Sequence, residues 1–247
     1  MKNQLFLAVA FLALAGEGMA QTQTDFLLSE PDDTASGKVT LWATHYFIYS
    51  AAPSLSGIAF RNKSGEAISD TVAPEDWCRA AIEGTVRVTH GDVTTVLNYG
   101  GVGSKQNIDC ATVLKIDAKK RWITATGRSY FVPAVGSFGD GDGGYKLVPY
   151  RTIAVDRKKI RLGTAIFIPS ARGLKFELPS GSTIKHDGYF FAADTGGAIK
   201  GNHIDIFCGA TAKNCLPTII TSIPEKSFEA FVVDDAEVIE ALRSKHK

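Results

Sequence analysis

Between residues 151 and 207 the chain passes through RTIAVDRKKI, GTAIFIPSARG, LKFELPSG, HDGYFFAAD and NHIDIF. These stretches alternate or run apolar in short lengths and are punctuated by Gly and Pro, so they read as several β-strands that must pair with one another. Upstream, LWATHYFIYS at 41–50 is aromatic and β-branched and reads as a further strand, and GTVRVTHGDVTTVLNY reads as strands around a His90-Gly91-Asp92 turn. KIDAKKRWITATGRSYFV, apolar on both sides of a break at 118–120, predicts a hairpin. Helical signals are confined to residues 74–82, opened by Pro74, and to DDAEVIEALRSK at 234–245, with its acidic start, basic end and apolar spacing. The chain is expected to be mainly β, with a C-terminal strand and helix over 221–247.

The 247 residues, 45% hydrophobic and 21% charged, suffice for one large domain or two small ones. Lys+Arg 27 against Asp+Glu 26 gives a net charge of +1, which offers no basic face for nucleic acid and no acidic tail. Partners must be inferred from sites. MKNQLFLAVAFLALAGEGMAQTQ has the basic start, apolar run and small-residue end of a secretory signal, with cleavage expected after Ala20. Its apolar run is short of the roughly 20 residues that span a bilayer, so no transmembrane span is expected in the mature chain. Export places the protein in the periplasm or outside the cell. Residues 21–38 are polar, contain Pro31 and Gly37 and read as a linker; residues 51–118 change character and read as an inserted subdomain.

In an exported chain, Cys78, Cys110, Cys208 and Cys215 read as disulfides. Three pairings are open, the simplest joining each cysteine to its nearer neighbour. There is no CxxC, and His203 adds no familiar ligand spacing, so no zinc site and no metal are expected. The DGDG of the glycine-rich loop at 136–150 fails as a calcium loop, because Tyr145 stands where the glycine belongs and Arg151 where the bidentate glutamate belongs.

The chain lacks GxSxG, HExxH, a Walker loop and a GxGxxG that opens a helix, which leaves serine hydrolases, zincins, P-loop enzymes and dinucleotide dehydrogenases unsupported. What remains is aspartate. Asp156 follows TIAV, Asp194 follows FFAA, and Asp205 sits in HIDIF. A carboxylate directly after a buried run is desolvated and its pKa raised, the state a general acid needs. Gly196-Gly197 permits positive φ and close approach to a ligand, and with Lys200 and the Gly201-Asn202 bend lets Asp194 and Asp205 face one cleft. The plainer readings are an Asx-turn or cap for each Asp, a packing role for His203 and a solvated Lys200.

Asp156 in TIAVDRKKIRLGT, Asp194 in AADTGGAIKG and Asp205 in NHIDIF resemble the three aspartates of the 3D domain, over roughly 122–209. That domain is the catalytic barrel of the membrane-bound lytic transglycosylase A family. LWATHYF is similar to that family's first barrel strand, so the insert would interrupt a barrel spanning 39–220. The resemblance implies a six-stranded double-psi β-barrel that needs no cofactor and acts on peptidoglycan glycan strands. It would cleave the MurNAc-β-1,4-GlcNAc bond and leave 1,6-anhydroMurNAc ends. Asp205 would be the acid/base, with Asp194 and Asp156 in support. Thr195, Gly196, Gly197, Lys200 and His203 of the motif, with Tyr46 and Tyr130, are the substrate-binding candidates; Tyr189 is a further aromatic candidate. The alternatives are a water-dependent glycoside hydrolase of the same fold and a non-catalytic cell-wall carbohydrate-binding protein.

The export reading predicts that mass spectrometry of the protein from its native host finds an N-terminus at Gln21. An intact Met1 on cytoplasmic material would contradict it.

Overall fold

The structure, a computed structural model, describes residues 23–31, 37–178 and 180–247. The expected signal segment lies outside the described residues. In chain order the strands and helices are β1 (Lys38–Tyr46), β2 (Tyr49–Ala51), β3 (Pro53–Arg61), β4 (Ala67–Val72), α1 (Pro74–Glu83), β5 (Thr85–His90), β6 (Val93–Val102), α2 (Cys110–Leu114), α3 (Arg121–Thr126), β7 (Ser129–Pro133), β8 (Thr152–Ala154), β9 (Ala165–Phe167), β10 (Lys175–Glu177), β11 (Thr183–Lys185), β12 (Tyr189–Asp194), β13 (His203–Phe207), β14 (Phe228–Val233) and α4 (Ala236–Lys245).

Six strands close into a barrel in the order β1-β13-β8-β12-β9-β14. β1 pairs in parallel with β13, and β8 with β12; the other four pairings are antiparallel. The mainly β, six-stranded barrel with a C-terminal helix agrees with the sequence reading. Its sixth strand is β14, within the segment read as a C-terminal strand and helix. Closure leaves no strand edge unpaired, which matters for strands as short as β8 and β9. Leu41, Ala43, Ile153, Ile166, Phe190, Ala192, Ile204, Ile206 and Ala230 fill the interior. The period-2 alternation therefore sends Trp42, Thr44, Tyr46, His203 and Asp205 to the other face.

Between β1 and β8 the chain forms the sheet β2-β5-β6-β7, the β3-β4 hairpin and three helices. Phe60, Trp77 and Phe131 are wholly buried at its centre, and a disulfide joins Cys78 of α1 to Cys110 of α2. Pro74 starts α1, and Gly84, at φ 85°, ends it. The second disulfide joins Cys208 to Cys215, so both nearer-neighbour pairs form. The hairpin expected around 118–120 is instead α3 followed by β7. Thr124 and Thr126 donate their hydroxyls to the carbonyls of Arg121 and Trp122, and Ile123 is buried in the core of the insert, so packing overrides the strand propensity of these β-branched residues.

The segment read as a linker is partly fixed to the barrel. Phe26 is buried under the Arg151 guanidinium, 4.1 Å from its ring centroid, and Tyr189 donates its hydroxyl to the Ser29 carbonyl at 2.8 Å. Arg151 is wholly buried and grips Asp187 through both Nη atoms, at 2.5 and 2.7 Å. Burial works to raise the Asp187 pKa, but the guanidinium holds it below the usual carboxylate range. Removing one partner of such a pair strands the other charge in the interior. Asp187→Asn should cost about 3–5 kcal/mol in urea unfolding; a loss below about 1 kcal/mol would show that the pair is not a keystone of the barrel.

Candidate active site

The site is built on the outer wall of the barrel, around Ala154. This residue of β8 is in register with Asp205 on β13 and with Asp194 on β12. Simple alternation would place Asp194 on the same face as the buried Phe190 and Ala192. A register shift between Ala192 and Asp194, a β-bulge, turns it to the face of Ala154 and Asp205. The small side chain of Ala154 lies between the two carboxylate-bearing strands.

Strand β1 supplies a hydroxyl to each carboxylate. Thr44, in register with Asp205, donates to its Oδ1 at 2.7 Å, and Tyr46 donates to Asp194 Oδ2 at 2.7 Å. The Thr195 N–H donates to Asp194 Oδ1 at 2.8 Å, while the Thr195 hydroxyl donates to Asp142 of the glycine-rich loop at 2.7 Å. Burial pushes the Asp205 carboxyl up to about 6, against the lowering effects of Thr44 and His45. Burial also pushes Asp194 up to about 6; Tyr46 and the Thr195 N–H oppose the rise and the Asp205 charge adds to it. Two carboxyls that repel each other and lack a cationic hydrogen-bond partner hold a proton near neutrality.

A third carboxyl comes from the insert. Glu83, at the end of α1, accepts from the Phe47 N–H at 3.3 Å. Burial pushes it up to about 7; that hydrogen bond lowers it and the Asp205 charge raises it. Sequence reasoning passed over Glu83, because nothing local links a helix in the insert to a barrel strand. Thr44 and Trp42 were within reach, since they share the parity of Tyr46 along β1.

The third motif aspartate stands apart. Asp156 lies beyond the end of β8 and accepts from the Gly201 N–H at 2.9 Å and the Lys158 N–H at 3.0 Å. The Gly201 N–H and then the Lys158 N–H lower its pKa, opposite to the expected rise. It pins the 195–202 turn rather than holding a proton. In that turn the positive φ belongs to Gly201, at 64°, and not to Gly196 or Gly197 as expected. A Cβ on Gly196 would meet Ile199 at 2.7 Å, whereas Gly197 faces open space. Lys200 is exposed and acts on Asp156.

His203 is buried, stacked on Trp42 at 3.7 Å, with Nε2 2.8 Å from Thr44 Oγ1. Tyr46 is buried against Phe207, its hydroxyl committed to Asp194. Tyr130 lies in the insert with its ring over Gly100 and Gly101, and Tyr189 is directed to Ser29. Among the described residues, no group of three His, Cys, Asp or Glu side chains is placed to hold a metal ion, and no helix is long and apolar enough to cross a membrane.

Family comparison matches residues 151–215 to the 3D domain. The matched stretch carries all three aspartates, whereas Thr44, Tyr46 and Glu83 reach the site from outside it. Among solved structures, the chain is similar to Escherichia coli MltA with bound chitohexaose, at 16% identity and a TM-score of 0.48, over 78% of this chain and 71% of that one. It is also similar to the lytic transglycosylase LtgG of Burkholderia pseudomallei (18%, TM-score 0.42, 79% and 71%). A membrane-bound lytic murein transglycosylase of Agrobacterium tumefaciens is a third (16%, 0.44, 84% and 77%). The comparison with curated proteins found no match.

Raised carboxyl pKa values give stability that is present below the unfolded value near pH 4 and lost as pH rises through about 6. A shift of this size is worth about 3 kcal/mol per group at most. Asp205→Asn should therefore be more stable than wild type at pH 7.5, by about 1–3 kcal/mol, with the gain vanishing at pH 4. Thermal melts across that range check this; equal melting curves at pH 7.5 would contradict the desolvation of Asp205.

Proposed function

We propose that the protein is an exported peptidoglycan lytic transglycosylase, with Asp205 as its single acid/base. The observation that supports this reading is the pair of buried, proton-retaining carboxyls at Ala154, in a segment that matches the 3D domain. Protonated Asp205 gives its proton to the glycosidic oxygen as the bond from MurNAc C1 breaks, releasing the GlcNAc 4-hydroxyl. The 6-hydroxyl of the same MurNAc attacks C1, and its proton returns to Asp205. No water is consumed, and the acid is restored. An internal hydroxyl already close to C1 removes the need for a second carboxylate to activate water.

Asp194, bound by Tyr46 and Thr195, is in register with Asp205 across Ala154, and the Asp205 charge adds to the rise in its pKa. Asp156 pins the turn that contains Thr195, Gly196, Gly197 and Lys200 through the Gly201 N–H. Glu83 favours a second reading. Ordinary glycosidases use two carboxyl groups, one of them activating water, and Glu83 is a second carboxyl, whose pKa the Asp205 charge helps to raise.

Purified peptidoglycan incubated with the mature protein should release anhydromuramoyl fragments, lighter by one water than hydrolytic ones, and Asp205→Asn should lower the rate by at least about 10²-fold. Products that retain the water, abolished by Glu83→Gln, would replace transglycosylation with hydrolysis. No release from wild type would leave the binding-protein reading.

A further inference from the structure

The DGDG at 140–143, which fails as a calcium loop, lies against β12 beside the site. Asp140 closes its own loop, accepting from the Val135 N–H at 2.8 Å and the Gly136 N–H at 2.7 Å. A Cβ on Gly141 would meet the Ala193 carbonyl oxygen at 2.2 Å, so only glycine lets the loop come this close to the strand. Asp142 then bonds the residues on both sides of Asp194. Its N–H donates to the Ala193 carbonyl at 2.8 Å, and its Oδ2 accepts from the Thr195 hydroxyl at 2.7 Å. The Arg157 guanidinium pairs with the same oxygen.

The second of these bonds falls where the strand gives out. β12 ends at Asp194 and Gly196-Gly197 follow, so neither the ladder nor a stiff chain holds Thr195 in place. Yet the Thr195 N–H is the backbone donor to Asp194 Oδ1, at 2.8 Å. A hydroxyl anchored on Asp142 fixes the residue whose N–H must point back at the carboxylate. Arg157 in turn holds Asp142, while its neighbour Asp156 accepts from the Gly201 N–H at the far end of the same turn. Two consecutive residues after β8 thus secure both ends of the 195–201 turn.

We propose that Asp142 is a positioning residue that clamps β12 on both sides of Asp194 and so aims the Thr195 N–H at its carboxylate. It acts through Thr195. Burial raises the Asp194 pKa, and Tyr46 and the Thr195 N–H oppose the rise, so loosening Thr195 strengthens proton binding at Asp194. Loss of the Asp142 charge alone would do the opposite, since a nearby anion favours the protonated acid. The two effects differ in sign. The titratable groups acting on Asp194 are Tyr46 from β1 and Asp205 from β13, and Glu83 from α1 acts on Asp205. These, with Arg157, Asp156 and Lys200, all stay in place in the variants below.

That Asp194 takes part in catalysis rests on the transglycosylase reading; the clamp does not. Carboxyl ¹³C NMR of the substrate-free protein follows the Asp194 titration. Asp142→Ala should raise its midpoint by about half to one pH unit, a roughly 3- to 10-fold gain in proton affinity. Asp142→Asn, whose amide oxygen still accepts from the Thr195 hydroxyl, should keep the wild-type midpoint, a rescue that a role through charge or through the Arg157 pair would not give. Thr195→Val should raise the midpoint as Asp142→Ala does, and the two together should raise it no further. If Asp142→Ala does not fold, Thr195→Val set against Asp142→Asn carries the test. An unchanged or lowered midpoint in Asp142→Ala or Thr195→Val, an equal rise in Asp142→Asn, or additive rises overturns the clamp. Raised midpoints in a protein that releases no anhydromuramoyl fragments would uphold the clamp and overturn the function; fragment release with unmoved midpoints would do the reverse.

Discussion

Strand β8 is three residues long, and both of its edges are paired, to β12 in parallel and to β13 in the antiparallel sense. So short a strand holds its place only because neighbours on each side take up its hydrogen bonds inside a closed barrel. Ala154 at its end faces the two carboxylate-bearing residues at once, and the bulge in β12 fits into the same register. Were β8 to slip by one residue, Ile153 would take the place of Ala154 and the two aspartates would lose their common face.

The same barrel treats buried carboxylates in opposite ways. Asp187 has a guanidinium against both of its oxygens and stays ionised. Asp194 and Asp205 receive hydrogen bonds only from neutral donors, so desolvation dominates and both retain protons toward neutral pH. One arrangement stabilises the barrel beside Phe26. The other costs stability at neutral pH and provides an acid, a usual trade at functional sites.

The β character, the helix at Pro74 and the C-terminal helix were legible because each rests on local patterns: period-2 runs, a proline start, a charged helix end. The reading of α3 failed because ITAT has strand propensity, a weak local preference that the packing of Ile123 into the core of the insert overrides. Residues 23–31 look like a linker by composition. Phe26 and Leu28 nevertheless find partners far along the chain, in Arg151 and Asp187.

By itself, the sequence determined that the protein would be mainly β, that DTGGAIKG and HIDIF belong to a three-aspartate motif, and which residues could carry charge. Those properties follow from side-chain chemistry and short-range periodicity. Only the tertiary structure decided that Asp156 is an ionised turn anchor while Asp194 and Asp205 share a buried face, since desolvation and strand register are set by distant segments. The same holds for Glu83 and Thr44, because long-range pairing brings the insert and β1 beside residues more than a hundred positions away.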